Sequence, residues 1–408
     1  MKTTDSSLCL VALSLWLLGG GALSAQDWPQ WRGPDRDGKT SGFTAPRAWP
    51  ANLTQKWTVP VGIGDSSPAL VGNRLFAFGR EDTNEVLRCL DAASGKTLWR
   101  HEYPADHVVT GPAARHPGPR SSPTVADGRL CALGVGGILS CLDAATGRLL
   151  WRKQSTEDYL GVAYDFDSSM SPLVVEGKCF VHIGGKGQGA VIAFDLASGE
   201  PKWKWTGDAP ANSSPVLVTV AGRRQLVTLA AKNLVGLDLA DGKLLWQLPF
   251  EAAQGNNATP VVDGAMVYCT GLNKGLVAIQ IAAQGEGFAA TPVWTNSQLS
   301  ARFTAPVLKG GRLYGYTDSS FCVDARTGAT LWLDPAKHGN SAALVDAGPV
   351  LIATTVSSEL VVYAPDDKAC TELAKYKVAG TEIWAHPIVA GPRLYVRDRE
   401  SLALWSWE

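Results

Sequence analysis

The sequence predicts an all-β fold, an eight-bladed β-propeller with four-stranded antiparallel blades. Three observations support this prediction. The phrase "CLDAASGKTLW" at 89–99 returns as "CLDAATGRLLW" at 141–151, and further copies follow. Each unit of roughly 40 to 50 residues carries four strand-like segments, as a propeller blade does. The last unit lacks one strand, and a ring leaves fewer open sheet edges than a row of such units.

The first residues of the chain predict export. A lysine is followed by the apolar stretch "LCLVALSLWLL" at 8–18 and then by small residues, which is the pattern of a cleaved signal peptide. The apolar stretch is shorter than the roughly 20 residues that a membrane-spanning helix needs. We therefore expect a signal peptide at 1–25, a leader at 26–54 and the propeller at 55–408. The mature protein is expected to be soluble, in the periplasm or the extracellular space.

The repeated phrase is explained by structure rather than by catalysis. An Asp is followed four residues later by Gly and four residues after that by Trp, as in Asp91, Gly95 and Trp99. Asp accepts backbone N–H bonds and Gly tolerates positive φ, so the pair forms a turn between the third and fourth strands. The Trp then offers a flat apolar surface to the neighbouring blade. The tryptophans expected to dock in this way are Trp57, Trp99, Trp151, Trp203, Trp246, Trp294 and Trp332.

The two ends of the propeller segment predict how the ring closes. The last unit contains "RLYVRD" at 393–398 and "SLALWSWE" at 401–408, without a fourth strand after them. The segment "QKWTVPV" at 55–61 has the character of an outermost strand and precedes the first unit. We expect this N-terminal strand to pair with the C-terminal blade, so that main-chain hydrogen bonds close the circle.

The phrase D-x-x-[ST/D]-G-x-x-x-W, repeated around the chain, resembles the repeat of the PQQ-like propeller family. The resemblance covers 55–408 and implies tryptophan docking between blades. That family includes dehydrogenases that use pyrroloquinoline quinone (PQQ) and a non-enzymatic propeller subunit of the outer-membrane β-barrel assembly machinery. The leader "DWPQWRGPDRDGKTSG" at 27–42 looks like the segment that precedes such propellers in other exported bacterial proteins. Its Trp28, Trp31 and Arg32 are expected to pack on their own propeller, inside the channel or along its rim.

The sequence contains no recognisable catalytic motif, so no catalytic residue and no metal ligand are predicted. The alcohol dehydrogenases that the chain resembles hold PQQ over a pair of adjacent cysteines, with calcium and a catalytic Asp, and this sequence has no adjacent cysteines. Neither G-x-S-x-G nor H-E-x-x-H occurs. A dehydrogenase that oxidises an alcohol or a sugar with PQQ and calcium stays open as the alternative to a non-catalytic protein.

Propeller geometry predicts where a ligand site would lie. The inner strands begin at Ser/Thr-Pro phrases, and the residues just before them crowd one mouth of the central channel. Two interpretations stay open, a solvated ring of loop tips or a polar funnel that binds a small ligand. The residues at this register are Asp65, Arg120, Asp167, Asn212, Asn257, Arg302, Asn340 and His386.

A long connection at 155–169 is a second candidate surface, because long loops in compact domains often carry function. Its aromatic and acidic side chains form a candidate contact patch for a partner. These candidates are Asp158, Tyr159, Tyr164, Asp165 and Phe166.

The charge balance excludes one class of partner. With 37 Lys and Arg against 38 Asp and Glu, the net charge of −1 offers no electrostatic reason to expect nucleic acid or an anionic membrane surface. We therefore predict an exported, non-catalytic binding or interaction module of the bacterial cell envelope. Its partner is expected to be an envelope protein or a small polar ligand.

Overall fold

The computed structural model describes residues 27–106, 109–154, 168–185, 188–337 and 339–408. These residues form eight four-stranded antiparallel sheets, arranged as the blades of a propeller. In seven of the sheets the strands are neighbours in chain order, from the inner strand to the outer one. The predicted fold class is confirmed. The predicted signal peptide lies outside the described residues and stays a prediction.

The first half of the ring follows directly from the repeat. The chain begins with β1 (Thr54–Pro60), and blade one consists of β2 (Ala69–Val71), β3 (Arg74–Glu81), β4 (Asn84–Asp91) and β5 (Thr97–Pro104). Blade two consists of β6 (Thr124–Ala126), β7 (Arg129–Leu133), β8 (Ile138–Asp143) and β9 (Leu149–Gln154), and blade three of β10 (Leu173–Val175), β11 (Lys178–Gly185), β12 (Gln188–Asp195) and β13 (Pro201–Gly207). Blade four consists of β14 (Val216–Val220), β15 (Arg223–Leu229), β16 (Asn233–Asp238) and β17 (Leu244–Pro249). A short 3-10 helix at Gly111–Arg115 lies between blades one and two.

The second half continues the pattern and ends one strand short. Blade five consists of β18 (Val261–Asp263), β19 (Met266–Gly271), β20 (Gly275–Gln284) and β21 (Gly287–Asn296), and blade six of β22 (Val307–Lys309), β23 (Arg312–Tyr316), β24 (Ser320–Asp324) and β25 (Thr330–Leu333). Blade seven consists of β26 (Ala342–Asp346), β27 (Leu351–Thr355), β28 (Glu359–Ala364) and β29 (Thr371–Lys377). Blade eight has β30 (Ile388–Ala390), β31 (Arg393–Arg397) and β32 (Ser401–Ser406).

The missing strand of blade eight is supplied by the N-terminal end of the propeller. Strand β1 pairs antiparallel with β32, with Trp57 opposite Leu404 and Pro60 opposite Ser401. The sheet order is β1-β32-β31-β30, so the chain closes its own circle with a ladder of main-chain hydrogen bonds. The predicted closure is confirmed.

The outer rim of the ring is held by tryptophans that dock on the turn of the next blade. Trp99 of β5 donates its indole N–H to the carbonyl oxygen of Ala144 in blade two, 3.1 Å away. A Cβ atom on Gly147 of that turn would lie 2.6 Å from the Trp99 ring, and the φ of Gly147 is +74°. The glycine is therefore required twice, for its backbone conformation and for the approach of the indole.

The same contact recurs around most of the ring. The further indole N–H bonds to carbonyl oxygens of the next blade are Trp57 to Ala93, Trp151 to Leu196, Trp203 to Leu239, Trp294 to Ala325 and Trp332 to Asp366. Tyr376 replaces Trp in blade seven, and its hydroxyl donates to the carbonyl oxygen of Pro50, ahead of β1.

Trp246 departs from the docking predicted for it. Its side chain packs in the apolar layer with Val267 and Ile279 of blade five, but its N–H donates to Gln225 Oε1 of its own blade, 2.6 Å away. The reason lies in blade five, where the β20–β21 hairpin turns at Gln284–Gly287 without the Asp-x-x-x-Gly turn. Strand β20 continues through the position where the other blades turn, so no turn carbonyl faces the indole, which bonds inside its own blade.

The inner rim is held by the hydroxyls of the Ser/Thr-Pro phrases. The backbone N–H of Ser67 donates to Ser122 Oγ, that of Ser122 to Ser171 Oγ, and that of Ser171 to Ser214 Oγ, at 2.9–3.0 Å. The chain of bonds continues from Ser214 to Thr259 Oγ1 at 3.4 Å. These residues are buried, so each bond satisfies a backbone donor that water does not reach.

Candidate functional site

The leader fills the central channel of the propeller. Arg36 is buried and donates to the carbonyl oxygens of Pro215, Ser171 and Pro172, at the inner ends of blades three and four. Arg32 is buried and donates to the carbonyl oxygens of Ala305 and Pro306, at the inner end of blade six. Burial lowers the pKa of Arg36 to about 9 and that of Arg32 to about 10, because removal from water disfavours the charged form.

The leader reaches the remaining blades through backbone bonds and the side chains of Trp31 and Thr40. These are the paired backbone bonds of Trp28 with Leu70 in blade one, Val125 N–H to Pro29 O in blade two, Trp31 Nε1–H to Thr259 Oγ1 in blade five, Thr40 N–H to Asp346 O in blade seven, and Thr40 Oγ1–H to Val389 O in blade eight. With the two arginines, every blade of the ring is bonded to the leader. Residues 28–40 of the leader therefore lie inside the channel, whereas Pro50, near its end, lies at the outer rim beside Tyr376.

Above the leader, at the mouth formed by the loops between blades, lies a cavity of about 190 Å³, which we call the mouth cavity. Trp31 of the leader contributes to its lining. Of the eight side chains that the sequence places at the mouth, five line this cavity: Asp65, Arg120, Asn212, Asn257 and Arg302. They come from the loops that enter blades one, two, four, five and six, so the shared register brings them together.

The other predicted mouth residues do not line the cavity in the described part of the chain. His386 is buried beneath it, where its ring lies edge-on to Trp31 at 5.3 Å between centroids. Burial and the charge of Arg32 lower the pKa of His386 well below its ordinary value. Asn340 is exposed and stands apart from the cavity. Asp167 lies outside the described residues.

The five loop candidates also lie outside the described residues. They are Asp158, Tyr159, Tyr164, Asp165 and Phe166, within the segment 155–167. Their contact role stays a prediction.

The carboxylate of the mouth cavity is held by a histidine that the sequence analysis did not select. Asp65 Oδ2 lies 2.8 Å from His116 Nδ1, and Arg120 donates to the carbonyl oxygen of His116 at 2.8 Å. The loop that carries His116 is pressed against the entry to blade one. A Cβ atom on Gly118 would lie 1.9 Å from the carbonyl oxygen of Ile63, so only glycine fits there.

A row of aromatic side chains forms another part of the lining of the mouth cavity. Trp384 meets the rings of Phe303 and His116 edge-on, with centroids 5.4 and 5.5 Å apart. The Arg302 guanidinium carbon lies 4.4 Å from the centroid of Phe303, in a cation–π contact. These aromatic residues were missed because they follow no repeat. Trp384 carries one visible signal, since it stands outside the docking pattern that was predicted for seven of the fifteen tryptophans.

The described residues of the mouth cavity do not fit PQQ with calcium. Calcium takes about six to eight oxygen ligands, usually with several carboxylates. Asp65 is the one carboxylate among the described residues of the lining, and it is already bound to His116. The described chain contains no group of three or more His, Cys, Asp or Glu side chains arranged to hold a metal ion. None of the seven described cysteines forms a disulfide, and six of them are buried in the blades. Cys131, Cys141 and Cys179 pack together in the apolar core of blades two and three.

The comparisons with known proteins agree with this architecture. Residues 82–334, more than half of the chain, match the family model described as outer membrane protein assembly factor BamB. The chain belongs to this family. BamB of Burkholderia pseudomallei strain K96243 is 26% identical over 367 residues, which cover 86% of this chain and 86% of that protein.

Solved structures share the fold with both branches of the PQQ-like family. BamB from Moraxella catarrhalis superposes with a TM-score of 0.63 at 17% identity, covering 87% of this chain and 98% of that one. The quinohemoprotein alcohol dehydrogenase ADHIIG from Pseudomonas putida HK5 gives a TM-score of 0.67 at 12% identity, covering 94% of this chain and 80% of that one. At these identities the likeness concerns the fold alone. Among the described residues, no helix is long and apolar enough to cross a membrane.

Proposed function

We propose that this BamB-family propeller is a non-catalytic interaction module of the bacterial cell envelope. The observation that carries the proposal is the family match, together with a BamB relative that aligns over 86% of both chains. That relative is named an outer membrane protein assembly factor, so the partner we propose is an envelope protein that takes part in such assembly. The export signal predicted at 1–25 is in keeping with this location.

The mouth is the face that we propose for partner binding. Propeller loops vary while the blades that carry them stay regular, so binding residues concentrate on loops. Here the channel itself is filled by the leader through Arg32 and Arg36, so a partner on this face would meet the loops of the mouth. The opposite choice, the rim, consists of repeated turns whose side chains are used for docking.

Site-specific photo-crosslinking in cells tests this proposal. A photoreactive amino acid replaces half-buried Trp384 at the mouth in one strain and exposed Lys96 on a rim turn in a matched control. We expect a discrete adduct with one envelope protein from the mouth position and none from the rim position. Alanine changes at Tyr159, Tyr164 and Phe166 are expected to weaken the adduct. An adduct of equal yield at both positions, or at neither, contradicts the proposal.

The alternative is a quinoprotein dehydrogenase, favoured by the shared fold with the alcohol dehydrogenase of Pseudomonas putida HK5. Its test is direct. The purified protein is incubated with PQQ and Ca²⁺, and dye reduction is followed with alcohols and sugars as substrates. We expect no turnover, because Asp65 is the one carboxylate among the described residues of the lining. Turnover above the protein-free rate would overturn the non-catalytic proposal.

A further inference from the structure

The mouth cavity contains one cation whose hydrogen-bond donors are unused. Arg302 lines the cavity, and in the described part of the chain no hydrogen bond or ion pair reaches its guanidinium. Its Nε is buried without a partner. The buried leader arginines differ, since Arg32 and Arg36 each donate to at least two backbone carbonyls. A guanidinium that is partly removed from water without a hydrogen-bond partner costs free energy, which an anion in the cavity would offset.

The packing of Arg302 leaves the binding edge of its guanidinium free. The guanidinium carbon lies over the Phe303 ring, 4.4 Å from its centroid, so the ring covers one side of the cation. The N–H groups lie in the plane of the guanidinium and point outward from its edge, which is the geometry that receives a carboxylate through two parallel bonds. The contact with Phe303 also restricts the guanidinium before any ligand arrives, which lowers the entropy cost of binding.

The walls next to Arg302 are aromatic and are held in place by one another. Trp384 meets Phe303 edge-on at 5.4 Å, and Trp31 is anchored by its N–H bond to Thr259 Oγ1 at 2.9 Å. Trp31 and Trp384 both line the cavity. Aromatic rings pack well against a flat unsaturated ring and less well against a puckered saturated one. The apolar part of a ligand is therefore expected to be planar.

The other polar groups of the mouth cavity disfavour a cationic ligand. Asp65 is engaged by His116 at 2.8 Å, and Asn212 donates to Asn257 Oδ1 at 2.8 Å. The one carboxylate of the described lining is therefore occupied, while Arg120 and Arg302 bring positive charge to the same space. A ligand with one anionic group suits this arrangement better than a cation.

From these contacts we propose that the mouth cavity binds a small aryl carboxylate. The carboxylate lies on the free edge of Arg302, and the aromatic ring packs against Trp384 and Trp31. The site goes beyond the proposed interaction role, since it depends on no protein partner. The leader supplies Trp31, so the cavity is complete only when the channel is filled.

Calorimetric titration of the whole mature protein tests the site with three probes. The probes are 2-naphthoate, the uncharged 2-naphthamide and the non-aromatic cyclohexanecarboxylate. We expect 2-naphthoate to bind at least tenfold more tightly than either of the others, because only it satisfies both Arg302 and the aromatic walls. Equal affinity for 2-naphthoate and 2-naphthamide, or no binding of 2-naphthoate at millimolar concentration, would overturn the proposal.

Variants then assign the site to Arg302. R302Q is expected to weaken 2-naphthoate binding at least tenfold, and R302K is expected to lose less because it keeps the charge. R326Q, the same change on an exposed arginine of the β24–β25 turn, is the matched control and is expected to bind as the parent does. W384L is a second, independent variant and is expected to weaken both naphthyl probes. Unchanged binding of 2-naphthoate to R302Q or to W384L would contradict the site.

Discussion

The rim and the mouth of this propeller are built from the same eight units. The units make nearly the same contacts at the rim, whereas they contribute different side chains at the mouth. At the rim, Trp99 and Trp294 dock on Ala144 and Ala325 in one geometry, with N–H bonds of 3.1 and 3.0 Å. At the mouth, the loops contribute an acid, arginines, amides and aromatic rings at comparable positions. Repetition preserves what every blade interface needs, and the positions free of that need can differ and form a site.

The leader resembles the rim in that it bonds to equivalent positions of several blades, although its own sequence is not repeated. Arg36 is bound by carbonyls of two blades and Thr40 by carbonyls of two others, so the leader uses the inner strand ends that the ring repeats. A single segment meets a pseudo-symmetric wall by placing a different donor at each blade.

Arg36 is the leader residue whose loss we expect to destabilise the propeller most. R36M leaves the carbonyl oxygens of Ser171, Pro172 and Pro215 without their donor inside the channel. We expect a loss of about 4 kcal/mol in the free energy of unfolding, since hydrogen bonds from a charged donor are worth about 1.5–3 kcal/mol each. Urea unfolding measures it. R47M, on an exposed leader arginine, is the control and is expected to change stability by less than about 0.5 kcal/mol. Equal effects of the two variants would place the leader outside the structural core.

Acid is expected to weaken the body of blade three through His182. Its Nε2–H donates to the carbonyl oxygen of Asp208 at 3.0 Å, and burial lowers its pKa to about 4. The unfolded chain binds a proton near pH 6.5 and the folded chain does not, so stability falls as pH drops from about 7 to about 4 and levels off below that. The loss in the free energy of unfolding that this histidine causes between these two pH values is roughly 3 kcal/mol.

The control for the acid effect is H182Q, which keeps a donor for Asp208 and removes the titrating ring. Urea unfolding at pH 7, 5.5 and 4 is expected to show a smaller loss of stability in H182Q than in the parent protein. A pH dependence identical to that of the parent would mean that His182 does not carry the effect.

Alanine substitutions at two glycines of blade two distinguish the cost of displacing the docked indole from the cost of backbone strain. Gly147 and Gly128 have φ of +74° and +71°, but a Cβ atom meets the Trp99 ring at 2.6 Å in the first case and nothing within 4 Å in the second. G128A is expected to cost about 1 kcal/mol from the left-handed backbone, and G147A about 2 kcal/mol more because the indole is displaced. In a W99A background the two alanine changes are expected to cost the same. A persistent difference there would contradict indole docking.

Trp246 allows the finest distinction, within the rim itself. W99F removes an N–H bond to the backbone oxygen of Ala144, whereas W246F leaves the fully buried Gln225 Oε1 without its donor. We expect W246F to be about 1 kcal/mol more destabilising than W99F, because a buried unsatisfied amide is costly. Adding Q225L to W246F is expected to recover part of the loss. No recovery would mean that packing, not this bond, sets the cost.

The fold was predictable because its determinants are local and repeated. The Asp-x-x-x-Gly-x-x-x-Trp phrase encodes a turn and its docking partner within nine residues, and ring closure follows from counting strands. The one failure, Trp246, has a cause visible in the sequence, since the copy after it is stretched by an insertion. Tyr376 shows the converse case, in which a substitute residue keeps a docking bond at Pro50.

The site was predictable only in outline. The register before the Ser/Thr-Pro phrases identified Asp65, Arg120 and Arg302, because propeller geometry brings that register to the channel mouth. His116 and Trp384 escaped, since they belong to loops without a period. Burial of Arg36 was not foreseen either, because charged side chains are seldom fully buried. It becomes favourable only where several blades present carbonyl oxygens to one cation.

Hydrogen–deuterium exchange of the peptide 27–43 measures whether the leader fills the channel, on which the proposal of the mouth as the binding face depends. The amides of Trp28 and Thr40 donate to Leu70 and Asp346 inside the ring. We predict that this peptide exchanges as slowly as the inner strands β2 and β26, with the global unfolding of the propeller. Exchange of the peptide within seconds at neutral pH, while those strands stay protected, would contradict the account.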